Sequence, residues 1–159
     1  MDEALAKRLP SAEDLGAMTR ASLQAAFAGE SQAAEKYMVF AEQAEEEGYP
    51  NIAKLFRAIS FAETRHARNH LRVMGGVGST AENLKSAFDG EAFEVDEMYP
   101  AYAEIARTQA MTQASRSVRC ALRSQVDHKE MYADARTKLS PGRTSRPIPS
   151  ASASFVATR

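Results

Sequence analysis

Four stretches of this chain place apolar residues at alternating steps of three and four, the spacing of a helix with one buried face. In the first, Phe27, Glu30, Ala34, Tyr37, Ala41 and Ala44 share one stripe. Pro10-Ser11-Ala12-Glu13-Asp14 reads as its N-cap with acids in the first turn, and Gly48-Tyr49-Pro50 as its stop. The second spans about 51–74, with Leu55, Ile59, Glu63, His66, His70 and Val73 in line before a glycine-rich break. The third starts near Thr80, a fitting cap, and carries Leu84, Phe88, Glu91, Glu94, Val95, Met98, Tyr102 and Ile105. Pro100 should kink it, because proline has no N–H for the carbonyl of Asp96. The fourth, about 110–139, carries Val118, Leu122, Gln125, His128, Tyr132, Ala135 and Leu139.

Four amphipathic helices of this length predict an all-α protein, a four-helix bundle. An internal repeat sharpens the topology. Ser22-Leu-Gln-Ala-Ala-Phe-Ala-Gly-Glu30 runs in register with Asn83-Leu-Lys-Ser-Ala-Phe-Asp-Gly-Glu91. The bundle is therefore expected to consist of two helical hairpins of related sequence, spanning 1–139. Residues 140–159 have three prolines, many serines and no acid, a composition expected to stay disordered.

Composition narrows the class without naming an activity. At 159 residues the chain suits one domain. No apolar run approaches the ~20 residues of a membrane span, and the start lacks a basic-then-apolar leader, so a cytoplasmic protein is expected. The single Cys120 excludes an internal disulfide and a cysteine cage built by one chain; as a small apolar residue it is expected to be inert. The net charge of −1 conceals a division: residues 1–105 hold 10 Lys+Arg against 18 Asp+Glu, and residues 106–159 hold 10 against 3. The basic end suits an acidic partner. Nucleic acid is disfavoured, because aromatics are not interleaved with the arginines.

The candidate chemistry sits on the stripes. Glu30, Glu63, His66, Glu91, Glu94 and His128 all fall on apolar faces, where an unpartnered charge is prohibitively costly. In Glu63-x-x-His66 the two heads share one helix face and can reach one ion. Four converging carboxylates need cations, and the stripes hold no Lys or Arg. Two divalent ions satisfy them, and mixed carboxylate and imidazole donors suit iron or manganese better than zinc's usual thiolate cages. His70, one turn on from His66, is expected to pack or bond to a ligand. The hydroxyls of Tyr37 and Tyr99 can reach a ligand carboxylate.

At these residues the chain resembles the rubrerythrin family. The likeness is carried by Phe27-Ala-Gly-Glu-Ser-Gln-Ala33, Glu47-Gly-Tyr-Pro-Asn-Ile-Ala53, Ala62-Glu-x-x-His-Ala67, and Gly90-Glu-x-x-Glu94 followed by Glu97-Met-Tyr-Pro100. It covers roughly 15–139 and weakens after about 107. The resemblance implies a ferritin-like bundle with a di-iron centre, whose ligands would be Glu30, Glu63, His66, Glu91, Glu94, Gln125 and His128. Manganese or zinc could replace the iron. It implies that Glu94 exchanges with His66 on one iron during redox change, and that Tyr37 and Tyr99 stand near the metals. It also implies a homodimer that reduces hydrogen peroxide to water.

Two departures qualify this expectation. Gln125 stands where the pattern calls for a bridging Glu, and an amide offers one neutral oxygen that cannot bridge two metals. Many family members also carry a rubredoxin domain with four iron-binding cysteines, which this sequence lacks, so an external rubredoxin-like electron donor is expected. Two other readings stay open: a ferroxidase or oxidase using dioxygen, and a metal-binding helical protein whose redox activity is impaired by Gln125.

Overall fold

The structure, a computed structural model, describes residues 15–139; the N-cap expected at Ser11 and the tail after residue 139 lie outside them. The described residues contain helices and turns and no strand. In order they form α1 (Ala17–Glu46), α2 (Pro50–Val73), α3 (Thr80–Phe93), a π-helical turn (Glu94–Met98), α4 (Tyr99–Thr108) and α5 (Thr112–Lys138). Two compact units meet in sequence at Gly78 and Ser79. Each is a helical hairpin, matching the repeat.

In the first hairpin, α1 and α2 pack through small residues. Ala34, Ala41 and Ala44 on α1, and Ala53, Ser60 and Ala67 on α2, are its buried positions. Phe56 packs against the cluster of Ala41, Ala44 and Ala53, and its ring meets Phe40 edge-on at 5.5 Å. The α1 stripe is the expected one. On α2 the contacting face is offset from the expected stripe: Ala53, Phe56, Ser60, Glu63 and Ala67 turn inward, while Leu55, Ile59, His66 and Val73 are exposed. Small side chains let the two backbones approach closely, so the hairpin closes on its alanine face rather than its bulky one.

Polar contacts fix the register of this hairpin. Ser60 Oγ donates a buried hydrogen bond to the Ala34 carbonyl at 2.8 Å. Near the turn, Arg57 grips Glu45 with both nitrogens at 2.6 and 2.8 Å, which holds that carboxyl below its usual pKa. The turn needs Gly48 at φ +82°, a conformation that side chains resist. Pro50 then opens α2 at its first turn, where the missing N–H costs nothing.

In the second hairpin the cap of α3 is Ser79, one residue before the expected Thr80. Ser79 and Glu82 form a reciprocal capping box, with the Ser79 N–H donating to Glu82 at 2.7 Å. The kink expected at Pro100 takes a different form. The chain continues helically through Glu94–Met98 with an extra residue in the turn, and the Tyr99 N–H reaches back to the Glu94 carbonyl. Pro100 then falls in the first turn of α4. The extra residue advances the inward face by one position. Ala106 is buried and Ala103 partly so, whereas the expected Tyr102 and Ile105 are exposed. Lys129 on α5 clasps Asp96 in the π turn at 2.7 and 2.9 Å. The α5 stripe from Val118 to Ala135 is partly buried as expected, with Leu139 exposed beyond the helix end.

Candidate metal centre

The first hairpin brings three expected ligands together. Glu30, Glu63 and His66 each offer a ligand atom within 4.8 Å of the others. Their register follows from the Ser60–Ala34 bond, which joins the residue one turn after Glu30 to the one three before Glu63. His66 Nδ1 lies 2.9 Å from Glu63 Oε2, within hydrogen-bonding distance. The Glu63 carboxylate is mostly covered, while His66 is exposed, a more open position than its place on the stripe implied. His70, one turn on, is partly buried and outside the cluster.

The second hairpin holds the matching set. Glu91 Oε2 and His128 Nδ1 are 3.6 Å apart, beside a cleft of ≈340 Å³ lined also by Leu84, Met131 and Tyr132. Glu91 Oε2 is buried and has no hydrogen-bond partner among the described residues. Glu94 and Gln125 meet directly, the Gln125 amide donating to Glu94 Oε2. Glu94 opens the π turn, and the Asp96–Lys129 pair pins that turn to α5 one residue from His128.

These atoms fit divalent metal. A buried carboxylate oxygen without a donor is a costly arrangement that a cation relieves. Carboxylate oxygens and imidazole nitrogens are the donors that iron and manganese accept. The fit is less complete at Glu94, where Gln125 already occupies one oxygen. Tyr37 completes a triangle of rings with Phe40 and Phe56, tilted against each at 6.1 Å, and Tyr99 meets Tyr102 edge-on at 6.3 Å. Each tyrosine sits in the same hairpin as a set of candidate ligands. Three features escaped the sequence reading: the Ser60 register bond, the π turn and the Gln125–Glu94 bond. The sequence signals for the last two were Pro100 and Gln125 themselves.

An all-α chain of two related hairpins, each with one lone Glu and a second helix ending its motif in His, has the fold and ligand chemistry of a ferritin-like carboxylate protein. The rubrerythrin family pattern matches residues 22–136. The chain belongs to the rubrerythrin family, whose members are ferritin-like di-iron oxidoreductases of oxidative-stress defence. It is 40% identical over 133 residues to Rubrerythrin-2 of Clostridium acetobutylicum, covering 75% of this chain and 72% of that one. Against the rubrerythrin of Porphyromonas gingivalis it is 35% identical over 130 residues, covering 74% of this chain and 65% of that one. The chain thus spans about two thirds of the length of these relatives. A solved structure of fully reduced, all-ferrous nigerythrin shares 27% identity, covering 83% of this chain and 78% of that one, at a TM-score of 0.40. Among the described residues, no helix is long and apolar enough to cross a membrane.

Proposed function

We propose that this chain is a non-haem di-iron peroxidase, reducing hydrogen peroxide to water with electrons from an external rubredoxin-like carrier. The observation that carries the reading is the convergence of Glu30, Glu63 and His66, matched in the second hairpin by the unpartnered Glu91 oxygen beside His128. Glu30, Glu63 and His66, with Glu91, Glu94 and His128, are the residues that would hold iron. Held there, iron would supply two electrons and Lewis acidity for the reduction of peroxide. The balance is one peroxide, two electrons and two protons giving two waters, so each turnover draws two electrons from the carrier.

The chain's own residues set the terms of that chemistry. The alanine face of the first hairpin and the Ser60 bond hold Glu30 opposite Glu63. The π turn and the Asp96–Lys129 pair present Glu94 to α5. From the family likeness we carry over to Glu94 and His66 an alternating ligand role. It also supports a homodimer working in the cytoplasm.

One observation favours a second reading, a metal-binding protein with impaired redox activity. Gln125 ties up Glu94 and contributes no negative charge of its own. The two readings part in a rapid-mixing experiment on the anaerobic, ferrous-loaded protein. Fast oxidation by peroxide, slower oxidation by dioxygen, and rubredoxin-dependent turnover are the expected results. Oxidation by dioxygen as fast as by peroxide would point to an oxidase. Failure to hold two irons per chain would leave the impaired reading standing.

A further inference from the structure

The turn between α4 and α5 forms a second cleft, of ≈550 Å³, in the hairpin that holds Glu91 and His128. Its lining combines Ala106, Ala110 and Met111 with Thr112, Ser115 and four arginines, Arg107, Arg116, Arg119 and Arg123. On α5, Arg116, Arg119 and Arg123 follow steps of three and four, so they form one row on one helix face. Arg107 is engaged by Glu104 at 2.5 and 2.8 Å. The other three guanidiniums are exposed and have no ion pair among the described residues. Between residues 106 and 126 there are four arginines, no lysine and no acid. Cys120, expected to be an inert small apolar residue, lines the same cleft and is exposed.

We propose that this cleft is the docking surface for an acidic electron-carrier protein. Three free guanidiniums spaced over seven residues span about 10 Å of helix, which suits a row of carboxylates better than one compact phosphate. Arginine is the cation suited to such a surface, because its planar fork pairs bidentately with carboxylates at modest desolvation cost. Methionine and arginine side by side are the composition of a protein-recognition patch. Nucleic acid is disfavoured, because no aromatic side chain lines the cleft for a base to stack on. A small acidic carrier needs to touch only the cleft, and its row of arginines steers the approach. The location suits electron delivery. Arg123 precedes Gln125 by two residues and His128 by five, about 3 and 8 Å along the helix axis. That the carrier brings electrons rests on the peroxidase reading; that an acidic protein docks here does not.

The test uses the full chain and an oxidised rubredoxin of acidic net charge, with no peroxide present. Calorimetric titration at low salt should give a one-to-one complex that weakens steeply as salt is raised. Alkylation of Cys120, the only thiol of this chain, should slow when the rubredoxin is bound, read by mass on this chain. R116Q, R119Q and R123Q should each weaken binding about threefold, and the triple variant roughly 30-fold, with helicity unchanged. Absence of binding, salt-independent binding, an unprotected Cys120, or an unaffected triple variant would overturn the proposal. So would tighter binding of inorganic phosphate or a DNA duplex than of the rubredoxin. If the complex forms as expected but peroxide is not turned over, the peroxidase reading fails and the docking surface stands.

Discussion

The amide of Gln125 on α5 donates a hydrogen bond to the carboxylate of Glu94 at the start of the π turn. Two residues at family ligand positions are thereby joined to each other before any metal arrives. Gln125→Glu would bring two carboxylates together there. Without metal the variant should be less stable than the parent, and with metal it should gain more. Titration with manganese or cobalt, followed by heat and by melting temperature, should show the weaker metal bound about tenfold more tightly or better in the variant. Equal affinity in both proteins would mean that Gln125 does not limit the site.

Glu91 makes the opposite prediction. Its Oε2 is buried and accepts no hydrogen bond among the described residues, with His128 Nδ1 3.6 Å away, so it lacks the donor that a buried carboxylate oxygen calls for. Glu91→Gln should leave the metal-free protein as stable as before or more so, while metal affinity falls by ~10-fold or more. Chemical denaturation of the metal-free protein, paired with metal titration, separates the two effects. Loss of stability in the metal-free variant would contradict the assignment.

The Ser60–Ala34 bond sets the register of the first hairpin. Ser60→Ala should cost about 1 kcal/mol, the typical net value of such a bond. Because alanine fits the small-residue face, the helices should stay paired. The telling measurement is metal affinity at Glu30, Glu63 and His66, expected to weaken along with the melting temperature.

Acid should loosen particular ends of helices before the whole. Glu82 has its carboxyl held low by hydrogen bonds from Ser79, and Glu45 by Arg57. Since both pKa values fall on folding, the stabilisation is fully present above the unfolded value near 4.5 and is lost as pH drops through the lowered folded values. Amide exchange should therefore quicken at the start of α3 and at the α1–α2 turn below about pH 4.5. In Glu82→Gln the first of these changes should disappear and the second should remain.

The repeat and the helix stops at Gly48-Tyr49-Pro50 and before Gly75 were legible in the sequence, because glycine, proline and the three-four spacing act locally. The choice of packing face was not. On α2 the stripe of Leu55 and Ile59 is the more hydrophobic, yet Ala53, Ser60 and Ala67 make the contact. Hydrophobicity ranks faces by transfer energy, whereas close helix approach depends on side-chain size. After Pro100 the reading slipped by one residue, since a π turn inserts a position that a fixed period cannot anticipate. The candidate ligands Glu30, Glu63 and His66 were readable as a set; what each touches was not, because those partners lie on other helices or depend on rotamer. The basic end was visible as charge alone, and only the fold gathered three of its arginines into one row at the mouth of a cleft.

The contact between His66 Nδ1 and Glu63 Oε2 has a consequence for how a metal would be seated here. The two atoms already face each other 2.9 Å apart, on one face of one helix. A cation held by both would have to enter between them and replace their contact with one bond to each. The pair is in effect a closed latch, opened only by an occupant that both atoms can grasp.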